Sequence, residues 1–132
     1  MKFAQNYLGG YRKGSLEFWV LKMEEHEQKK IVREILLGFW KVHILHHAKE
    51  GPVVGMWMLQ ELRRHGYDLS PGTLYPLLQR MEQSGWLRSE VDPEAGPRAR
   101  RSYYLTPKGE EVLGFVKERI RELWEEIEGE AG

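Results

Sequence analysis

His43, His46 and His47 stand at i, i+3 and i+4, and Glu50 follows about one helical turn further on. On a helix His43 and His47 share a face, and imidazoles with a carboxylate at that spacing can take a transition metal. No obvious fourth ligand exists elsewhere in the chain. Histidines on the surface of a long helix are the plainer account, and no metal is expected. A second set lies further along. Thr73, Tyr75, Pro76, Gln79, Arg80 and Gln83 fall on the side of a helical pattern opposite Leu74, Leu78 and Met81. Hydroxyls and a helix N-terminus, here Ser70 to Thr73, suit phosphate oxygens; Gln and Arg can make paired hydrogen bonds to adenine and guanine edges. Arg98, Arg100 and Arg101, at the tip of a predicted hairpin, can reach phosphates or a narrow minor groove. The alternative for both sets is a solvated helix face and a loop kept in water by its arginines.

Catalysis has no comparable set. The chain has no cysteine, which removes a thiolate metal site, a cysteine nucleophile and a disulfide scaffold together. No glycine-rich run ends in Gly-Lys-Ser/Thr, and no hydroxyl, histidine and acid fall in a catalytic motif. Glu118, Glu122, Glu125 and Glu126 interleave with Lys117, Arg119 and Arg121 as a solvated helix face. Neither enzyme activity nor a cofactor is expected.

These residues need a scaffold, and 132 residues supply one domain, 41% apolar and 30% charged. No apolar run is longer than that of Phe18 to Leu21, far short of the roughly 20 residues of a membrane span. No secretory-signal core follows Met1, so a cytoplasmic protein without a membrane partner is expected. The net charge of zero conceals segregation. Residues 1–62 carry nine Lys/Arg against seven Asp/Glu, residues 63–108 eight against five, and residues 109–132 three against eight. An Arg-rich middle before an acidic tail points to an anionic partner for the middle.

Residues 1–30 read as an aromatic, glycine-punctuated arm with Phe3, Tyr7, Tyr11, Phe18 and Trp19. Helical spacing of Ile31, Ile35, Phe39 and Val42 predicts a first helix to about Lys49, ended by Gly51-Pro52. A second helix is predicted from about Val54 to Arg64. Ser70-Pro71, a capping residue followed by proline, opens a third that Gly85 stops. Pro76 implies an irregular first turn there. Trp86–Val91 and Arg100–Thr106 are strand-like and enclose a Pro/Gly-punctuated tip. Thr106-Pro107 opens a final helix with the stripe Val112, Val116, Ile120, Leu123, Trp124 and Ile127. The fold class is therefore mainly α with a small β-hairpin: a winged helix-turn-helix over 31–106, an arm over 1–30 and a C-terminal dimerisation helix over 107–132. The third helix would enter the major groove and the hairpin would lie along the backbone as a wing.

Ser70-Pro71-Gly72-Thr73-Leu74-Tyr75-Pro76-Leu77-Leu78-Gln79-Arg80-Met81-Glu82, with Gly85-Trp86-Leu87, resembles the recognition-helix signature of PadR-family transcriptional regulators. The block Arg100-Arg101-Ser102-Tyr103-Tyr104-Leu105-Thr106-Pro107-Lys108-Gly109 is similar to the second half of that signature. Met56 followed by Trp57 departs from the aromatic residue usual after Gly55. The single terminal helix is similar to the short-tailed branch of the family. The resemblance implies a dimeric, repressor-like binder of double-stranded DNA, often sensing a small aromatic molecule or a stress signal. A ligand pocket that includes Trp124 is one expectation; the other is that the tryptophans anchor the core or a dimer interface. A winged helix used for protein–protein contact without DNA is the alternative function, motivated by the near-zero net charge.

Overall fold

The computed structural model describes residues 23–91, 93–97 and 99–131. The arm up to residue 22, and Arg98, lie outside the described residues. The first helix begins at Glu25 rather than Ile31. It runs as α1 (Glu25–Ile31), a π-helical turn (Val32–Leu36) and α2 (Leu37–Glu50). Nothing in α1 is buried, so hydrophobic spacing could not reveal it. Charge holds it instead: Glu25 and Glu27 lie in its first turn, Lys29 and Lys30 in its last, and Lys29 Nζ is 3.4 Å from Glu25. The wider π-helical turn then rotates the stripe. The residues of α2 that enter the core are Trp40, Ile44, Leu45 and Ala48, whereas Ile35 and Phe39 are each 52% exposed.

Val53–Val54 form β1, a strand too short to show a period of two, and α3 spans Gly55–Arg64. It closes at Gly66 (φ 97), with Tyr67 N–H donating to Leu62 O and Gly66 N–H to Arg63 O. The same pattern ends α4 (Pro71–Gln83) at Gly85 (φ 82), where Trp86 N–H donates to Met81 O and Gly85 N–H to Glu82 O. Both are Schellman caps, which place glycine where a Cβ would strain. The start of α4 departs from expectation. Ser70 has the extended backbone of an N-cap, but its side chain makes no capping bond. Its carbonyl accepts from Thr73 and Leu74 N–H. The helix is regular from Pro71 in spite of Pro76. The carbonyl that Pro76 leaves without a donor belongs to exposed Gly72, where water can serve it.

Strands β2 (Leu87–Val91) and β3 (Arg101–Leu105) pair antiparallel from Leu87↔Leu105 to Val91↔Arg101. On the other side β3 pairs with β1, Val53↔Tyr103 and Val54↔Ser102, so the predicted hairpin belongs to a three-stranded sheet. One core joins these layers. Ile44, Met58, Leu59, Leu62, Leu74, Leu77, Leu78, Met81 and Leu87 are exposed by no more than 1%. Each such side chain stabilises the fold by roughly 1.5–3 kcal/mol.

The last helix, α5 (Pro107–Ala131), reaches that core through Leu113. Thr106 fixes its start with every polar group it has. Its N–H donates to Trp86 O (3.1 Å), its hydroxyl donates to Gly85 O (2.5 Å) and accepts from Gly109 N–H (2.9 Å), and its carbonyl accepts from Glu110 N–H (2.9 Å). Among the described residues, no helix is long and apolar enough to cross a membrane.

Candidate nucleic-acid interface

The roll of α4 about its axis is set by Leu74, Leu77, Leu78 and Met81, all within the core. With that side turned inward, Tyr75, Pro76, Gln79, Arg80 and Gln83 are exposed, Thr73 is half-buried, and Ser70 and Gly72 stand open at the N-terminal end. An outward polar face on a helix with an accessible N-terminus can meet both base edges and phosphates.

The wing is tied to this helix. Arg101 Nη1 donates to Ser89 Oγ (2.9 Å), and that hydroxyl donates to Glu82 Oε2 (2.7 Å) near the end of α4. Arg88, which sequence spacing did not single out, lies 4.3 Å over the Tyr104 ring and pairs with Glu90 at 2.5 Å. Tyr75, Gln79, Arg100 and Arg101 line one open hollow of about 1070 Å³, together with Trp57, Gln60 and Tyr103. Ser70, Gly72, Thr73, Pro76 and Arg80 lie outside it. Burial pushes the Tyr103 phenol above its ordinary range. Trp57 is 47% exposed instead of buried, because Met58, Leu59 and Leu62 take the inward side of α3.

Arg63 and Arg64 have separate duties. Arg63 donates through Nε and Nη2 to Leu69 O (3.2 and 3.0 Å), which holds the turn between α3 and α4. Arg64 makes a two-pronged bond to Glu61, and that hydrogen bond above all holds the Glu61 carboxyl down at about 2. The turn also brings His65 beside His43, ring centroids 5.0 Å apart. On α5 Val112 and Val116 are half-buried, while Ile120, Leu123, Trp124 and Ile127 are exposed by about half. Trp124 lies outside the hollow.

A helical core with an outward-facing α4, a short α3–α4 turn and a sheet wing defines a winged helix-turn-helix protein. Residues 44–114, more than half of the chain, match the Transcriptional regulator PadR-like family, and the chain belongs to it. It is similar to the transcriptional regulator Rv3488 of Mycobacterium tuberculosis, 47% identical over 98 residues, covering 74% of this chain and 91% of that protein. A PadR-like transcription factor from bacteroid fragilis has the same fold, with TM-score 0.65, 30% identity, and coverage of 76% of this chain and 97% of that one. A PadR family transcriptional regulator from Eggerthella lenta gives TM-score 0.61, 29% identity, and coverage of 79% and 95%. The chain is a transcriptional regulator of this family and not an enzyme.

Proposed function

We propose that this regulator is a cytoplasmic repressor that binds a palindromic operator in double-stranded DNA as a homodimer, through α4 and the wing. The carrying observation is the division of α4: Leu74, Leu77, Leu78 and Met81 are buried to 1% or less, and Tyr75, Pro76, Gln79 and Arg80 face outward. The major groove admits one helix in this manner, with Gln79 and Arg80 turned to base edges. In this reading Arg100 and Arg101 on the wing meet phosphate, and Arg98 belongs with them by sequence. The dimer is supported by the open α5 stripe. Pairing two such stripes about a two-fold axis removes them from water and repeats the reading helix twice. In that pair Trp124 offers one wall of a pocket for a small aromatic effector.

Anisotropy titrations with duplex DNA from upstream of its own gene, at several salt concentrations, test the reading. The expected result is affinity that falls steeply with salt, and selection from a random pool should return half-sites about one helical turn apart. No binding at low salt overturns it.

A further inference from the structure

We infer that His43 and His47 of α2 and His65 at the end of α3 form a binding site for a divalent transition metal of the zinc class, with Glu61 as its anionic oxygen. The three imidazoles each bring one nitrogen within 4.8 Å of the others. Glu61 Oε2 lies 3.4 Å from His47 Nε2 and 3.2 Å from His65 Nε2. A tetrahedral site with bonds of about 2.0–2.1 Å has ligand–ligand edges of about 3.3 Å, so Glu61 already stands at coordination spacing from His47 and His65, and small side-chain rotations would draw in the imidazole nitrogens.

The arrangement is two i, i+4 pairs facing each other, His43 with His47 on α2 and Glu61 with His65 on α3. Such pairs lie on one side of their own helix, and the crossing of α2 and α3 brings the sides together. Neither pair alone offers more than two donors, which is why the sequence lacked a fourth ligand.

Metal binding needs neutral imidazole and ionised carboxylate. Arg64 donates to both Glu61 oxygens, which holds that carboxylate in place beside His47 and His65. Aromatic rings flank the two histidines of α2: the Tyr67 ring meets His43 at 5.7 Å and the Trp57 ring meets His47 at 5.3 Å. A nitrogen-rich set of this kind suits zinc, cobalt, nickel or copper in preference to magnesium or calcium. His46, His47 and Glu50 form a second, more exposed group that shares His47, which makes His46 the natural control.

The test is titration of the untagged, chelator-stripped full chain with cobalt(II), read by visible absorption, followed by displacement with zinc. Stoichiometric binding with the intense bands of tetrahedral cobalt is expected. His65→Ala and His43→Gln should each weaken binding by about tenfold or more, and Glu61→Gln should also weaken it, while His46→Ala leaves it unchanged. His65 is partly exposed, so retained helical circular dichroism checks that its variant folds. Absence of cobalt and zinc binding overturns the site. So does native affinity in a folded His65→Ala protein, or loss of binding in His46→Ala, which would place the metal on the other group.

Discussion

The Tyr75 ring rests on the backbone of Gly55: a Cβ at residue 55 would stand 2.3 Å from Tyr75 Cε1 and 3.0 Å from Cζ. The first residue of α3 thus sets where an outward-facing ring of α4 lies. Gly55→Ala should cost about 1–3 kcal/mol in denaturant unfolding or displace the ring. Combined with Tyr75→Ala, the added methyl should cost little, because nothing remains to collide with it. Equal losses from Gly55→Ala in both backgrounds would show that the ring does not rest there.

Gly109 is a harder case. A Cβ there would meet the Trp86 carbonyl oxygen at 2.1 Å, and a carbonyl inside a fixed turn cannot rotate aside. Gly109→Ala should lower the melting temperature and cost about 1–3 kcal/mol, whereas Gly114→Ala, which meets no atom within 4 Å, should be neutral or slightly stabilising. Calorimetry of the two variants side by side decides it.

Arg80 and Arg101 should differ in kind. Arg80 projects from the middle of the proposed reading helix, so Arg80→Ala should cost about 1–3 kcal/mol in DNA binding and relax preference at one position of each half-site. Arg101 is held by Ser89, and in the proposed docking it meets phosphate. Its loss should weaken all sequences alike and reduce the salt slope by about one per subunit. If both variants bind like the parent, the docking orientation is wrong.

Leu123 is 54% exposed and Ile127 49%, so the isolated fold does not depend on them. The double variant Leu123→Glu, Ile127→Glu should keep its helical signal and sediment as a monomer. Its DNA affinity should fall, since two half-sites are no longer held together. A parent protein that is monomeric at micromolar concentration removes the dimer and the palindrome with it.

Alkaline pH should loosen the core at Tyr67. Burial raises its phenol above the ordinary 10.0. The neutral ring is the form that the fold favours, so its contribution is complete below the unfolded value and is lost as pH rises through the folded one. Urea midpoints should decline at alkaline pH less steeply in Tyr67→Phe than in the parent. Equal declines would show that Tyr67 is not the group responsible.

Most of the scaffold was legible because it rests on local signals. Gly85 ends α4 where it was expected to, α3 stops at Arg64 as its pattern predicted, and the leucine spacing of 71–83 indicated both a helix and its inward side. What escaped notice has physical reasons. α1 is held by charges rather than burial, and the π-helical turn breaks the period on which the Ile31–Val42 stripe was projected. β1 is two residues long and exists only because β3 lies beside it. Candidate-site residues on α4 could be named because inward and outward alternate along one helix. Trp57, Gln60 and Arg88 depend on how elements cross, as does the meeting of His65 and Glu61 with His43 and His47.

Thr106 leaves no slack between α5 and the end of α4. With its amide, hydroxyl and carbonyl all engaged, the junction is a welded elbow, and α5 becomes a rigid arm about 37 Å long at the usual rise per residue. A tilt of about 5° at the elbow would sweep the far tip through roughly 3 Å over that length. In a paired protein the converse holds: a small change in the angle at which two such arms cross sets the distance between the two α4 helices. The spacing between half-sites would then be a property of leverage, adjustable from the far end of the chain without touching a single residue that faces DNA.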